Sequence, residues 1–134
     1  MRNLLLAGML LVTAACGSYR FPGDSTSPSP NAHVSGTVRS VPCAPVEQAG
    51  STCAGRPVSG LEIDYLAGTS IVQRAVTDSN GAYSVDLKPG SYAVQFKSYM
   101  RVISGPTKLA LDAGARTIAD YVLDNGIRVP APQQ

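Results

Sequence analysis

Histidine is the side chain that acid–base and nucleophilic catalysis most often uses near neutral pH, and this chain of 134 residues has one, His33. A Ser-His-Asp or Cys-His arrangement is therefore possible only with His33 as its base, and a zinc site of the HExxH kind is excluded. His33 stands directly before the first strand-like stretch, where a surface side chain is expected. The sequence therefore predicts no catalytic histidine.

Paired carboxylates are a second arrangement that could do acid–base chemistry. Glu62 and Asp64 are two residues apart, and Asp120 and Asp124 form another pair near the C-terminal end. Side chains two residues apart share one face of a strand, which is equally the pattern of a solvated surface. No feature of the sequence marks either pair as buried. We therefore predict no catalytic residue, and a protein that is not an enzyme.

Neither a metal ion nor a nucleic acid is indicated as a ligand. Asp78-Ser-Asn-Gly81 begins like a calcium loop, but Pro89 stands where the bidentate glutamate belongs, so a structural turn is the better interpretation. Eleven Lys and Arg against nine Asp and Glu leave a net charge of +2, too small for the dense basic face that nucleic acid requires. The sequence predicts no metal, no cofactor and no nucleic-acid partner.

The N-terminal stretch has the organisation of a secretion signal. Arg2 supplies a positive charge, and Leu4–Val12 is an apolar run too short to span a bilayer permanently. The run Val12-Thr-Ala-Ala-Cys16 resembles the lipobox of bacterial lipoproteins, with Thr13 where leucine is commoner. The resemblance implies that residues 1–15 are a signal peptide and that Cys16 carries a diacylglyceryl group and an amide-linked acyl chain such as palmitate. The alternative is that Cys16 is an ordinary buried thiol.

Lipidation at Cys16 implies that the membrane is a partner through the lipid anchor, because two or more acyl chains suffice for stable attachment. Residues 16–31 are polar and rich in proline, which predicts a disordered tether. Gly17 follows the cysteine, so the aspartate that indicates inner-membrane retention in similar lipoproteins is missing. We expect a membrane-anchored lipoprotein of the cell envelope, in the outer membrane facing the periplasm or at the cell surface.

Cys43 and Cys53 remain once Cys16 is lipidated, and an even number of cysteines in an oxidising compartment favours a disulfide. Proline and glycine surround both residues in a long stretch between the first two strand-like segments. The prediction is one local disulfide, Cys43–Cys53. The alternatives are two free thiols or half of a metal site.

Apolar residues recur with period two from about residue 32 to residue 128, between turn signals. Tyr83, Val85 and Leu87 give the clearest alternation, and Tyr92 follows Pro89-Gly90 at a spacing that resembles a tyrosine corner, which would place its ring in the core. The pattern predicts an all-β domain over 32–128, an antiparallel sandwich of six or seven strands, with a disordered tail over 129–134.

Three segments of this domain resemble the carboxypeptidase regulatory-like domains: Val34-Ser-Gly-Thr-Val38, Pro57-Val-Ser-Gly-Leu61 and the longer run from Thr77 to Tyr92. The resemblance implies a prealbumin-like (transthyretin-like) seven-strand sandwich related to the immunoglobulin-like folds. This fold type also occurs in some carbohydrate-binding modules. The resemblance implies no common reaction.

The last strand-like stretch, near Ala115 to Leu123, is apolar on both faces, although a sandwich strand needs one buried face. We expect the disulfide loop or Ser104-Gly-Pro106 to cover this stripe, because monomeric proteins seldom leave large apolar patches open; the alternative is that the stripe binds a partner or a sugar ring. We expect a non-catalytic, lipid-anchored module whose sandwich binds an envelope protein or serves a structural interaction. The alternative is a carbohydrate-binding module, for which Tyr65, Tyr99 and Tyr121 are the candidate binding surface because the chain has no Trp. A hydrolase is the least favoured class.

Overall fold

The computed structural model describes residues 30–46, 50 and 52–127, and within these residues the chain forms strands and no helix. Ten strands follow one another along this part of the chain: β1 (Ala32–Val41), β2 (Arg56–Pro57), β3 (Glu62–Ala67), β4 (Ser70–Val76), β5 (Ala82–Leu87), β6 (Gly90–Phe96), β7 (Arg101–Ser104), β8 (Lys108–Leu111), β9 (Arg116–Ile118) and β10 (Tyr121–Asp124). They form two sheets, so the predicted all-β sandwich is confirmed.

The larger sheet has six strands and is organised by β1. The first half of β1 pairs with β5 and β9, its second half pairs with β2 and β10, and β7 lies beyond β10. The smaller sheet has the order β4-β3-β6-β8 and is antiparallel throughout. Two details of the prediction are wrong, since the described residues form ten strands rather than seven, and β9 and β10 each run parallel to β1. One additional strand arises because the last apolar stretch breaks at Ala119-Asp120 into β9 and β10, so that each half of β1 has its own partners.

The core lies between the sheets and contains the residues whose period-two spacing predicted an inward side chain. Tyr83, Val85 and Leu87 are buried while the side chains between them are exposed. Tyr92 is also buried, and its hydroxyl donates a hydrogen bond to the Lys88 carbonyl at 2.7 Å. The predicted core position of Tyr92 is thereby confirmed.

The turn at Asp78-Ser-Asn-Gly81 has the predicted structural role. An Asp78 carboxylate oxygen accepts hydrogen bonds from the backbone N–H groups of Asn80 and Ala82, at 2.8 and 2.9 Å. Gly81 has φ +74°, a left-handed conformation that glycine adopts without strain. The carboxylate therefore holds the connection between β4 and β5.

β1 runs the length of the sandwich, about 30 Å for ten residues. At the linker end, where the chain enters β1, the Pro30 carbonyl accepts a hydrogen bond from Gly114. At the other end the chain leaves β1 at Val41 and enters a loop closed by the disulfide Cys43–Cys53, whose Cα atoms are 5.7 Å apart. The predicted disulfide is therefore confirmed. We call the end of the sandwich at which the chain leaves β1 the disulfide end. Cys16, the predicted signal peptide over 1–15 and the predicted tail over 129–134 lie outside the described residues.

Gly36 lies in the middle of β1, at the point where the chain passes from β9 to β10. A Cβ atom at Gly36 would be 2.0 Å from the carbonyl oxygen of Ala119. That oxygen accepts a hydrogen bond from the Tyr83 hydroxyl at 2.6 Å, and the Ala119 N–H donates to the Ser35 carbonyl at 2.9 Å. Close approach of the backbone, not an unusual φ, therefore requires glycine at position 36.

We predict that Gly36→Ala lowers the free energy of unfolding by about 3 kcal/mol, at the upper end of the usual cost of overpacking, because the Ala119 carbonyl would have to move and release Tyr83. Ser35→Ala is the matched control, since the Ser35 side chain lies on the outer side of the sheet and its change is expected to cost less than about 0.5 kcal/mol. Chemical denaturation of both variants measures the difference. Equal midpoints for Gly36→Ala and the unaltered protein would contradict the close approach.

Candidate functional site

Two of the three tyrosines predicted to form a binding surface are core residues. Tyr65 is 0% exposed and Tyr121 is 1% exposed, whereas Tyr99 is 82% exposed. The Tyr121 ring packs edge-on against Phe96, with ring centroids 4.8 Å apart, and against Tyr83 at 6.3 Å. The prediction of an exposed set of three tyrosines is therefore wrong. Tyr65 shares the inward face of β3 with Ile63, and Tyr121 pairs with the buried Val38 of β1.

The buried tyrosines differ in how their hydroxyl groups are satisfied. Those of Tyr83 and Tyr121 donate to the carbonyls of Ala119 and Pro106, at 2.6 and 2.8 Å. Among the described residues the Tyr65 hydroxyl is the one buried side-chain polar atom without a hydrogen bond of ordinary geometry. Burial raises the pKa of Tyr65 to about 12, and burial also raises the pKa values of Tyr83 and Tyr121. All three rings are therefore neutral structural groups near neutral pH.

The predicted apolar stripe of the last strand is covered only in part. The segment Ser104-Gly-Pro106 lies against Tyr121, since a Cβ atom at Gly105 would be 2.3 Å from its ring. Ile118 is nevertheless 78% exposed, and Ile103 is exposed as well. The segment Ser104-Gly-Pro106 thus covers the inner side of β10 at Tyr121, as predicted. On the outer side of the sheet the expectation that the stripe is covered is wrong at Ile118.

Exposed apolar side chains also gather at the disulfide end. Val46 follows Cys43 in the closed loop, Tyr99 precedes β7, and Ile127 follows β10. The strand register brings these segments to one end, because Asp124 pairs with both Val41 and Arg101. The Asn125 N–H donates a hydrogen bond to the Val41 carbonyl at 2.9 Å. This bond keeps the residues after β10 next to the disulfide loop. The tyrosine that remains exposed therefore lies at the same end of the sandwich as the exposed Val46 and Ile127, which the sequence did not predict.

The carboxylates of β3 are held in ion pairs rather than solvated separately. Asp64 is only 4% exposed, although it lies on the outer face of its sheet, so the expectation of an unburied acid is wrong. Arg74 of β4 explains the burial, because its Nε lies 2.9 Å from Asp64 and 3.1 Å from Glu62. Hydrogen bonding to Lys97, followed by the charges of Lys97 and Arg74, lowers the pKa of Glu62 despite the opposing effect of desolvation. These acids are charged partners of cations, which does not suit proton donation.

The second carboxylate pair is divided between two tasks. Asp120 accepts hydrogen bonds from the Thr37 N–H and hydroxyl, at 2.7 and 3.0 Å. Asp124 lies 3.8 Å from the guanidinium group of Arg101. Asp120 thus joins the residue before β10 to β1, and Asp124 joins β10 to β7. Both carboxylates therefore have a structural role.

His33 forms a polar pair that the sequence did not predict. Its Nδ1 lies 2.7 Å from an Asp86 carboxylate oxygen, across the β1–β5 pairing, and both side chains are substantially exposed. Ser35 and Ser84 form the adjacent outward pair, which puts serine, histidine and aspartate on one face. Within the described part of the chain, however, neither serine hydroxyl is hydrogen bonded to His33. The predicted surface position of His33 is confirmed, but its pairing with Asp86 was not predicted.

Searches for other kinds of site add two findings about the described residues. No group of three or more His, Cys, Asp or Glu in them is placed to hold a metal ion. None of the same residues forms a helix long and apolar enough to cross a membrane. The exposed apolar side chains at the disulfide end make it the candidate functional site.

Comparison of the chain with known protein families gives no matching family, and comparison with curated proteins gives no matching relative. The likeness to carboxypeptidase regulatory-like domains stays a prediction from the residues that carry it.

We predict that Tyr65→Phe leaves the free energy of unfolding unchanged or raises it by up to about 1 kcal/mol, because the change removes a buried hydroxyl that makes no hydrogen bond of ordinary geometry. Tyr121→Phe is the matched control and should lose about 1 kcal/mol with its hydrogen bond to Pro106. Urea denaturation of the two variants gives the comparison. Equal losses would mean that the Tyr65 hydroxyl has a partner after all.

Proposed function

We propose that this protein is a non-catalytic module of the cell envelope, anchored by lipid at Cys16, whose sandwich binds another envelope molecule at its disulfide end. The observation that carries the proposal is that three segments meeting at this end each carry an exposed apolar side chain: Val46, Tyr99 and Ile127. Monomeric soluble proteins seldom leave grouped apolar side chains open unless they contact a partner. The lipobox-like run ending at Cys16 supports the anchor.

The length and direction of β1 favour this end over the others. The described chain begins at Pro30, fourteen residues after Cys16, and β1 then leads away from the linker end for about 30 Å. On this proposal the anchor holds the linker end towards the membrane and the disulfide end projects away from it. The disulfide also limits the motion of the loop that carries Val46, so less conformational entropy is lost when a partner binds.

A protein partner fits this surface better than a glycan. Sugar rings stack on aromatic side chains set in a plane, and two of the three candidate tyrosines are buried. Of the three, Tyr99 alone remains as a stacking group, and the other exposed apolar side chains at this end, Val46 and Ile127, are aliphatic. Aliphatic and aromatic side chains together are typical of the centre of a protein–protein interface.

The anchor is tested by Cys16→Ser. We expect the variant to lose acyl labelling and to leave the membrane fraction, because the thiol that takes the lipid is gone. Metabolic labelling with a fatty acid, read beside membrane fractionation, measures both effects, and Ser18→Ala in the same linker serves as control. Acyl incorporation that persists in Cys16→Ser would contradict the assignment of the lipid to this residue.

The binding surface is tested by photo-crosslinking in intact cells. A crosslinking amino acid in place of Tyr99 should give one discrete protein adduct, and the adduct should weaken when Ile127→Ser is added. The same amino acid in place of Ile118 is the matched control, because Ile118 is as exposed but lies on the outer face of the large sheet. Equal adducts at both positions, or none at Tyr99, would contradict binding at the disulfide end. An adduct that only glycosidases release would favour the glycan.

A further inference from the structure

The edge strand β4 is apolar and open. It ends the four-stranded sheet and pairs only with β3 among the described strands. Its side chains Ile71, Val72 and Val76 are exposed, and only Ala75 is buried. Proteins usually protect a long edge strand with charge, proline or a cover, because its unpaired backbone groups can add another strand.

The register shows which backbone groups of β4 face outward. The Thr77 N–H donates to the Leu61 carbonyl, and the Glu62 carbonyl, opposite Val76, accepts instead from Lys97 on the β6 side. Hydrogen bonding alternates along an antiparallel pair. The N–H and C=O groups of Arg74 and Val76 therefore point to the open side of the sheet.

The charge of this edge is already balanced. Arg74 is the one cation of β4, and its Nε lies within about 3 Å of carboxylate oxygens of Asp64 and Glu62. A second strand that approached β4 would meet no uncompensated charge. A bulge between Tyr65 and Leu66 disturbs the pairing near Val72, so the regular part of the edge is Gln73–Thr77.

We propose that β4 pairs antiparallel with β4 of a second copy of this chain, about a twofold axis at Ala75. This register places Arg74 opposite the partner's Val76, and Val76 opposite the partner's Arg74. The residues in these two pairs are those whose backbone N–H and C=O groups point outward. Their side chains lie on the same face of the joined sheet. The aliphatic stem of each Arg74 then covers an exposed valine, while its guanidinium group stays with Asp64.

A second copy fits this edge because the outward groups are related by symmetry. A twofold contact uses the same patch on both subunits, so each favourable pair occurs twice. The two four-stranded sheets become one sheet of eight strands. The contact uses backbone groups of β4, whereas the proposed binding at the disulfide end uses the side chains of Val46, Tyr99 and Ile127, so each is tested by its own variants.

Val76→Pro tests the contact in the full-length lipidated chain in detergent. Proline removes the outward N–H of Val76 but none of the bonds between β4 and β3, so it is compatible with an edge strand. The matched control is Val76→Ser, which loses the same apolar side chain but keeps the N–H. Sedimentation equilibrium corrected for detergent should show a dimer for the unaltered chain. Dimerisation should be weaker in Val76→Pro than in Val76→Ser by roughly tenfold or more, because two intersubunit hydrogen bonds are lost.

Amide hydrogen exchange of the unaltered chain gives a second measurement that needs no variant. The Arg74 and Val76 amides should be protected at concentrations where the dimer forms, and should exchange rapidly on dilution to monomer. A monomer at every soluble concentration would overturn the proposal. Protection that persists in the monomer would overturn it too, because the chain's own N-terminal segment would then occupy the edge. A dimer that Val76→Pro leaves intact, with near-ultraviolet circular dichroism showing a folded variant, would place the contact elsewhere.

Discussion

The carbonyl group of Ala119 is the point at which the large sheet changes partners. It passes Gly36 at a distance that excludes any side chain, and it accepts a hydrogen bond from the Tyr83 hydroxyl. One residue later, Asp120 accepts two hydrogen bonds from Thr37. These contacts divide the last apolar stretch into β9 and β10 and fix where each lies beside β1. Because Tyr121 and Leu123 enter the core from β10, the inner packing depends on this crossing.

The sequence predicted those parts of the fold in which a local pattern suffices. Alternation identified the strand of Tyr83 and Leu87, and turn chemistry identified the role of Asp78. The prediction for Tyr121 was wrong because the last stretch is apolar on both faces. The period-two pattern therefore did not show which face is inward. Asp64 was missed for a different reason: its burial depends on Arg74, ten residues away across β3 and β4, and on a register that no local pattern contains. Local patterns thus predicted the scaffold, while the candidate site required long-range pairing.

Exposed charged side chains and exposed apolar side chains lie on different parts of the molecule. The outer face of the small sheet carries Glu62, Asp64, Arg74 and Lys97 in one network, and the large sheet carries the His33–Asp86 pair. Grouped exposed apolar side chains lie instead at the disulfide end and along β4. The two sets differ in what they offer, because the disulfide end carries apolar side chains on three segments, while β4 adds unpaired backbone groups along a sheet edge.

The parallel pairing of β1 with the C-terminal strands has a consequence for how the chain folds. Thr37 and Asp120, which are bonded to each other, are 83 positions apart in the sequence. Contacts of such separation are slow to form, because a long loop must close before any of them stabilises the chain. β1 thus has no parallel partner until almost the whole domain has been synthesised. Its edge towards β9 and β10 stays unpaired for that interval, and an unpaired strand edge can add a strand of another chain.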